Sequence, residues 1–158
     1  MSRSRDIGTV GESAVVRFLR SHGWPHAERR ALAGAVDLGD ITGTPGVVWE
    51  VKSGRTAEQA GDGLVADWLA ETDTERQHAG ADVGILITKR AGYGPARAAS
   101  WWAHVDGGTA AALLGAHRPL PADVAAVPLR LHLSTAVSLL RGAGYGDPLP
   151  DVDEEAVA

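Results

Sequence analysis

The chain has 158 residues, 44% of them hydrophobic, with no cysteine and a formal net charge of −5. That length fits one domain with its own core, and the missing thiols exclude disulfides and thiolate metal sites and fit a reducing cytosol. No apolar run approaches the ~20 residues that cross a bilayer, and the opening "MSRSRDIGTVGE" lacks the apolar segment of a secretory signal, so a cytoplasmic protein is expected.

In chain order, Thr9 to Ser21 reads as a helix with Thr9 as its N-cap, an apolar stripe of Val15, Val16, Phe18 and Leu19, and Gly23 and Pro25 closing it. "AERRALAGAV" is ambiguous. "DLGDIT" and "VVWEVK" read as two strands joined through "GTPG", which makes a hairpin. "SGRTAEQAGDG" reads as a polar loop of a length that often carries function. "LVADWLAETDTERQHAGAD" predicts a helix ending near Gly80, and "VGILIT" a buried strand ending at Lys89 and Arg90. Past the turn-rich "AGYGPARAAS", "WWAHV" predicts a strand and "GTAAALLGAH" a short helix. "HRPLPADVAAVP" reads as loop and "LRLHL" as a half-buried strand, after which Ser134 caps a last helix, "TAVSLLRGAG". The order predicts an α/β or α+β fold, a central mixed β-sheet flanked by helices. Residues 1–146 form its single domain, and the acidic 147–158 a tail expected to be disordered.

The negative charge is local. Residues 147–158 hold Asp147, Asp151, Asp153, Glu154 and Glu155 and no base, so the other 146 residues balance 15 acids against 15 bases. Within residues 1–55, eight bases face six acids, so the N-terminal third can present a positive face around a negative centre. The chain-wide charge therefore does not exclude a nucleic-acid partner.

Along "VVWEVK", Val47, Trp49 and Val51 share one face and Val48, Glu50 and Lys52 the other. If the hairpin pairs Thr42 with Val48, Asp40 falls opposite Glu50 with Cβ atoms about 5 Å apart. Two carboxylates that close repel by roughly 4 kcal/mol at an effective dielectric near 20, a cost that a divalent cation removes. Hard oxygen ligands favour Mg²⁺, which takes one or two carboxylates and keeps several waters; Mn²⁺ is its natural substitute. The E-x-K spacing alone is also that of a solvated diagonal pair, with Asp40 a turn residue. Glu12 lies on the buried stripe of the first helix, although Thr9-x-x-Glu12 is equally a capping box. Arg29 and Arg30, directly upstream, suit phosphate contacts.

"GTVGESAVVRFLRSHGW", "ERRALAGAVDLGDITGTPGVVWEVKSG" and "AGADVGILITKR" together resemble the Holliday junction resolvase-like nucleases of actinobacterial phages, a branch of the PD-(D/E)xK superfamily. The resemblance covers roughly residues 5–105 and implies a restriction-endonuclease-like core. It implies that Asp40, Glu50 and Lys52 are the signature residues and Glu12 the acidic residue of the first helix. The proline that precedes the family's aspartate is absent from Leu38-Gly39-Asp40, and Asp37 is the competing candidate. Asp40 is preferred because it directly precedes Ile41 and its register faces Glu50. The implied reaction is Mg²⁺-dependent hydrolysis of a DNA phosphodiester, leaving a 5′-phosphate and a 3′-hydroxyl. Asp40, Glu50 and the Val51 carbonyl would hold the metal, Lys52 would hold or help deprotonate a water, and Glu12 would complete the shell directly or through water. The implied partner is branched DNA, cut by a homodimer in the cytoplasm of a bacterial or phage-infected cell.

Other chemistry is poorly supported. The six histidines are scattered, against a zinc site, and no serine sits in a nucleophile elbow. "GAGYGD" follows a helix rather than a strand, against dinucleotide binding. Trp101 and Trp102 can stack on bases, but adjacent strand residues face opposite ways, so at least one belongs to the core. Arg55, Lys89 and Arg90 are further candidates for phosphate contact. The alternatives to a junction resolvase are a nuclease of the same superfamily acting on flaps, nicks or site-specific duplex, and a non-catalytic DNA-binding module of the same fold.

Overall fold

A computed structural model describes residues 3–31 and 34–150; the acidic segment beyond residue 150 lies outside the described residues. The fold is a mixed α/β arrangement in which helices pack on a four-stranded mixed sheet, with a separate two-stranded sheet beside it. None of the described helices is long and apolar enough to cross a membrane.

Helix α1 runs Arg3–Arg20, six residues earlier than Thr9, and Asp6 in its first turn complements the positive helix end. Thr9 therefore lies inside the helix rather than at its N-cap, and the alternative reading of Thr9 and Glu12 as a capping box does not hold. The next two strands, β1 (Glu28–Arg29) and β2 (Ile41–Thr42), pair antiparallel with Thr42 opposite Glu28. This corrects the expected hairpin. Strand β3 (Val47–Lys52) pairs in parallel with β4 (Val83–Thr88), not with β2. The reason is burial: "VGILIT" offers a nearly continuous apolar edge, whereas "DLGDIT" offers only Ile41 and Leu38. Residues Val47 to Val51 are all buried, the pattern of a parallel strand covered on both faces.

The short α2 (Arg55–Glu58) lies within the segment expected to be loop, and α3 (Asp62–Ala79) makes the crossover from β3 to β4. It ends at Gly80, whose left-handed φ of 61° lets its amide cap the last turn. A 3₁₀ helix, Pro95–Ser100, precedes β5 (Trp102–Asp106), and Asp106 caps α4 (Gly107–Leu113) through a 2.6 Å bond to the Thr109 amide. A short α5 (Ala122–Ala125) interrupts the expected loop before β6 (Pro128–His132) and α6 (Leu133–Gly142). His132, not Ser134, occupies the N-cap of α6, without a side-chain cap bond.

The sheet order is β3-β4-β5-β6, with β4–β5 and β5–β6 antiparallel. One face carries Val47, Trp49, Val51, Ile85, Ile87, Ala103 and Val105, and packs with α1 and α6 into the core. Trp24 and Trp49 meet edge to face there, with centroids 6.0 Å apart. Of the tryptophan pair, Trp101 is the core member, fully buried and donating from its indole to the Tyr93 carbonyl at 2.8 Å. The opposite face of β3 and β4 lies under α3. At Gly84 a methyl group would sit 3.2 Å from Thr72 of that helix, so helix and strand are in close contact. Beyond α6, the chain is held down: Asp147 donates its amide to the Gly23 carbonyl at 2.7 Å, and Arg141 donates to the Asp147 carbonyl at 2.9 Å.

Candidate functional site

β3 is an edge strand of the four-stranded sheet, and its free edge is covered by the segment that leads into β2. Gly39 makes that approach possible. Its φ is +85°, and a Cβ there would lie 2.7 Å from Val48 Cγ1 and 3.0 Å from the Trp49 carbonyl oxygen. The next residue, Asp40, donates its amide to the Trp49 carbonyl at 2.9 Å and accepts the Val51 amide on Oδ2 at 2.7 Å. A strand residue's N–H and C=O project from the same edge, so the Val51 carbonyl also points to Asp40's side.

Glu50 and Lys52 share the β3 face under α3, as alternation requires. Lys52 Nζ donates to Glu50 Oε1 at 2.6 Å, lies 3.7 Å from Glu71 Oε2 and sits 5.8 Å from the Trp68 ring centroid. Burial would lower the lysine pKa, but the hydrogen bond and charge of Glu50 outweigh it and hold the ammonium above its usual range. Glu50 is among the charges that act on Asp40. Burial first, then the Glu50 charge, push the Asp40 pKa up to about 7, against the Val51 hydrogen bond; Glu12 adds to the rise.

Glu12 comes from the opposite side of β3. α1 approaches the strand end so closely that a Cβ on Gly11 would lie 2.7 Å from Ser53 Cβ. Arg29 Nε donates to Glu12 Oε2 at 2.7 Å, and Arg29 Nη2 to Thr9 Oγ1 at 3.2 Å. Arg29 thus ties β1 to α1. Arg30 is also engaged, donating its amide to the Asp40 carbonyl at 2.7 Å and its Nε to the Gly39 carbonyl at 3.1 Å; it supports the Asp40 loop. Asp37 accepts the Gly39 amide at 3.1 Å in a local turn and is exposed, so Asp40 is the aspartate set against β3.

The structure adds Glu75, which no sequence pattern singled out. It lies on the α3 face turned to the sheet with Val65 and Thr72, is 6% exposed, and leaves Oε2 without a hydrogen-bond partner. Burial, then the charges of Glu50, Asp37 and Asp40, push its pKa up to about 8, with Lys52 offsetting part of the rise. Among the described residues no ammonium or guanidinium pairs with Asp40 or Glu75. Nor do three Asp, Glu or His side chains converge into a ready-made cage for an ion among those residues. The oxygen donors there, the Asp40 and Glu50 carboxylates, the Val51 carbonyl and the orphaned Glu75 oxygen, fit a hydrated Mg²⁺ that needs only one or two carboxylates. A cation there would relieve the like-charge crowding.

A second group of side chains lies on the same face of the sheet. The register places Lys52, Thr88, Trp102 and His132 in one row across the four strands, which spans about 14 Å at ~4.8 Å per strand. At its far end Arg97, Tyr93, Arg90, Trp102 and Arg130 alternate cation and ring. Arg97 and Arg90 each lie 4.1 Å from the Tyr93 centroid, and Arg90 and Arg130 lie 4.2 and 4.3 Å from that of Trp102. Among the described residues none of these three arginines pairs with a carboxylate. A cleft of ≈ 410 Å³ lined by Glu58, Thr88, Trp102, His104 and Arg130 lies beside them. His104, bonded to Thr88 Oγ1 at 2.9 Å, is kept neutral by burial and by Arg130, which lower its pKa to about 4. Arg90 was visible as a strand-end cation. Arg130 was not singled out, although the alternation of "LRLHL" could have pointed to it, and Arg97 and Tyr93 are brought in only by tertiary contacts. Lys89 is paired with Glu58, and Arg55 is exposed at the start of α2.

Comparison of the chain with protein-family models, with curated proteins and with solved structures finds no match.

Proposed function

We propose that the chain is a Mg²⁺-dependent endodeoxyribonuclease that resolves branched DNA, four-way junctions above all, by phosphodiester hydrolysis. The observation that carries the proposal is Asp40 fixed on the β3 edge by the Val51 amide at 2.7 Å, next to the strand face on which Lys52 Nζ lies 2.6 Å from Glu50. The order of parts along the chain, an acid on α1, Asp40 before β2, then Glu50 and Lys52 on β3, supports the restriction-endonuclease-like reading of the fold.

Asp40 and Glu50 would hold Mg²⁺, or Mn²⁺ in its place, which would supply positive charge against the scissile phosphate and a more acidic water. The protein's own groups do the rest. Asp40 is oriented by the Val51 amide at 2.7 Å, against the edge from which the Val51 carbonyl projects. Lys52 Nζ donates a hydrogen bond to the attacking water or to a phosphate oxygen and offsets charge that builds on the phosphate. Glu12, paired with Arg29 at 2.7 Å, would complete the ion's shell directly or by holding one of its waters. Arg90 and Arg130, stacked on Trp102, offer cations on the same face, and Arg97 extends the stack through Tyr93; all three suit DNA phosphates beyond the cut. Cutting both strands of a four-way junction requires two sites related by symmetry, which a homodimer provides.

The test is cleavage of a synthetic four-way junction against linear duplex of the same sequence, with and without Mg²⁺. Faster cleavage of the junction is expected. Equal rates favour a nuclease of flaps, nicks or site-specific duplex. The absence of a ready-made three-residue cage among the described side chains favours a third reading, a non-catalytic DNA-binding module; DNA binding with no Mg²⁺-dependent cleavage would establish it.

A further inference from the structure

We infer that Glu75 is a positioning residue of the ion site, holding through its free carboxylate oxygen a water of a hydrated divalent cation seated at Asp40 and Glu50. The inference rests on the metal-dependent reading above. It starts from an energetic anomaly. A buried carboxylate oxygen without a partner costs on the order of 1–3 kcal/mol, and more when charged. Glu75 is 6% exposed and its Oε2 has no partner.

Its surroundings deepen the anomaly. The charged groups that face it from β3 and from the loop before β2 are Glu50, Asp40 and Asp37, all of the same sign, and Lys52. Lys52 is already bonded to Glu50 at 2.6 Å, and Arg76, the next residue on α3, turns away to Asp73 at 2.7 Å and to the Ala81 carbonyl at 3.1 Å. Among the described residues no donor is left for Glu75 Oε2. A leucine or glutamine would fill the same stripe of α3 without like-charge repulsion. The carboxylate makes physical sense when a positive, hydrogen-bond-donating group enters from the β3 side. A hydrated Mg²⁺ or Mn²⁺ is such a group, because it keeps several waters that donate outward. Reaching the ion through water also agrees with the absence of a three-side-chain cage among the described residues. Groups that orient a metal's inner ligands typically change its affinity by 10- to 100-fold when removed.

The experiment is titration of the full chain with Mn²⁺, followed by the electron paramagnetic resonance signal of the free ion, for the wild type, Asp40→Asn and Glu75→Gln, with thermal unfolding of each metal-free protein. Saturable binding by the wild type is expected, weakened about tenfold or more in Glu75→Gln, whose metal-free melting temperature stays equal or rises. Affinity in Glu75→Gln within twofold of the wild type, with Asp40→Asn weakened, overturns the role of Glu75 while leaving the ion site standing. Unchanged affinity in Asp40→Asn, or no binding by the wild type, overturns the metal reading itself. A Glu75→Gln protein that melts lower or fails to fold overturns the inference in favour of a structural carboxylate.

Discussion

The Asp40 carboxylate accepts a 2.7 Å hydrogen bond from the Val51 amide, although Asp40 leads into one sheet and Val51 belongs to another. This bond orients one carboxylate at the edge of the strand whose face carries Glu50 and Lys52, and it does so without a β-ladder between the two segments.

Asp40→Asn keeps an oxygen for the Val51 amide and removes the charge. Mg²⁺-dependent cleavage should fall by at least about 100-fold, as expected when a metal ligand needed for transition-state charge stabilisation is removed. The melting temperature at pH 8 should hold or rise, because one of two like charges is gone. Wild-type rates in this variant would sink the assignment of Asp40 as a metal ligand.

Gly39→Ala places a methyl group 2.7 Å from Val48 Cγ1 at a φ of +85°. The backbone strain alone is about 1–2 kcal/mol, and the clash must push the Asp40 loop away from β3. Urea unfolding should show a loss of at least that size, and cleavage should fall with it. A variant as stable and active as the wild type would show that the close approach of the loop is dispensable.

Lys52→Met leaves Glu50 buried without its charged donor. Hydrogen bonds to charged groups contribute about 1.5–3 kcal/mol, so unfolding in urea should register a loss in that range at pH 7. Cleavage should drop further than stability explains, with the fall in kcat rather than in KM, because the ammonium is assigned to the reacting phosphate and water.

Folding stability should depend on pH through the two crowded carboxyls. Asp40 rises from 3.8 to about 7 and Glu75 from 4.5 to about 8. Folded-state values above the unfolded ones mean that their contribution is complete below pH ~4 and is lost as pH climbs through 7 and 8. His104 acts in the opposite sense lower down: its pKa falls from 6.5 to about 4, so stability is lost as pH drops from 6.5 towards 4. Between pH 6.5 and 8.5 the carboxyls should dominate, and the metal-free melting temperature should decline by several degrees, at about 2–4 °C per kcal/mol for a chain of this size. Asp40→Asn and Glu75→Gln should each flatten the slope; a slope equal to the wild type's in both would place the titrating groups elsewhere.

Arg97→Ala with Arg130→Ala removes two of the three cations stacked on Tyr93 and Trp102. DNA affinity measured by fluorescence anisotropy without divalent metal should weaken. The slope of log K against log salt should shrink by about 0.9 for each duplex phosphate that the variant no longer neutralises. An unchanged slope would mean that the alternating stack faces something other than a phosphate backbone.

Elements governed by local chemistry were legible in the sequence: β3 and β4 from their apolar runs, the end of α3 from Gly80, the opposed faces of Trp101 and Trp102, and the shared face of Glu50 and Lys52 from the period of two. Thr9 shows the limit even locally, since a residue with good capping chemistry was overridden when the helix extended to Arg3. The partner of β3 was not legible, because a strand buried on both faces pairs with whichever apolar edge the chain can bring to it, and α3 brings β4. Nor was Glu75, whose helix has no clean apolar stripe to mark its inner face. Sequence by itself determined which residues could carry charge into the interior; only the tertiary structure decided which of those charges meet. Ion pairing and repulsion act over a few ångströms between segments far apart along the chain, and that proximity is set by packing across the sheet rather than by spacing in the sequence.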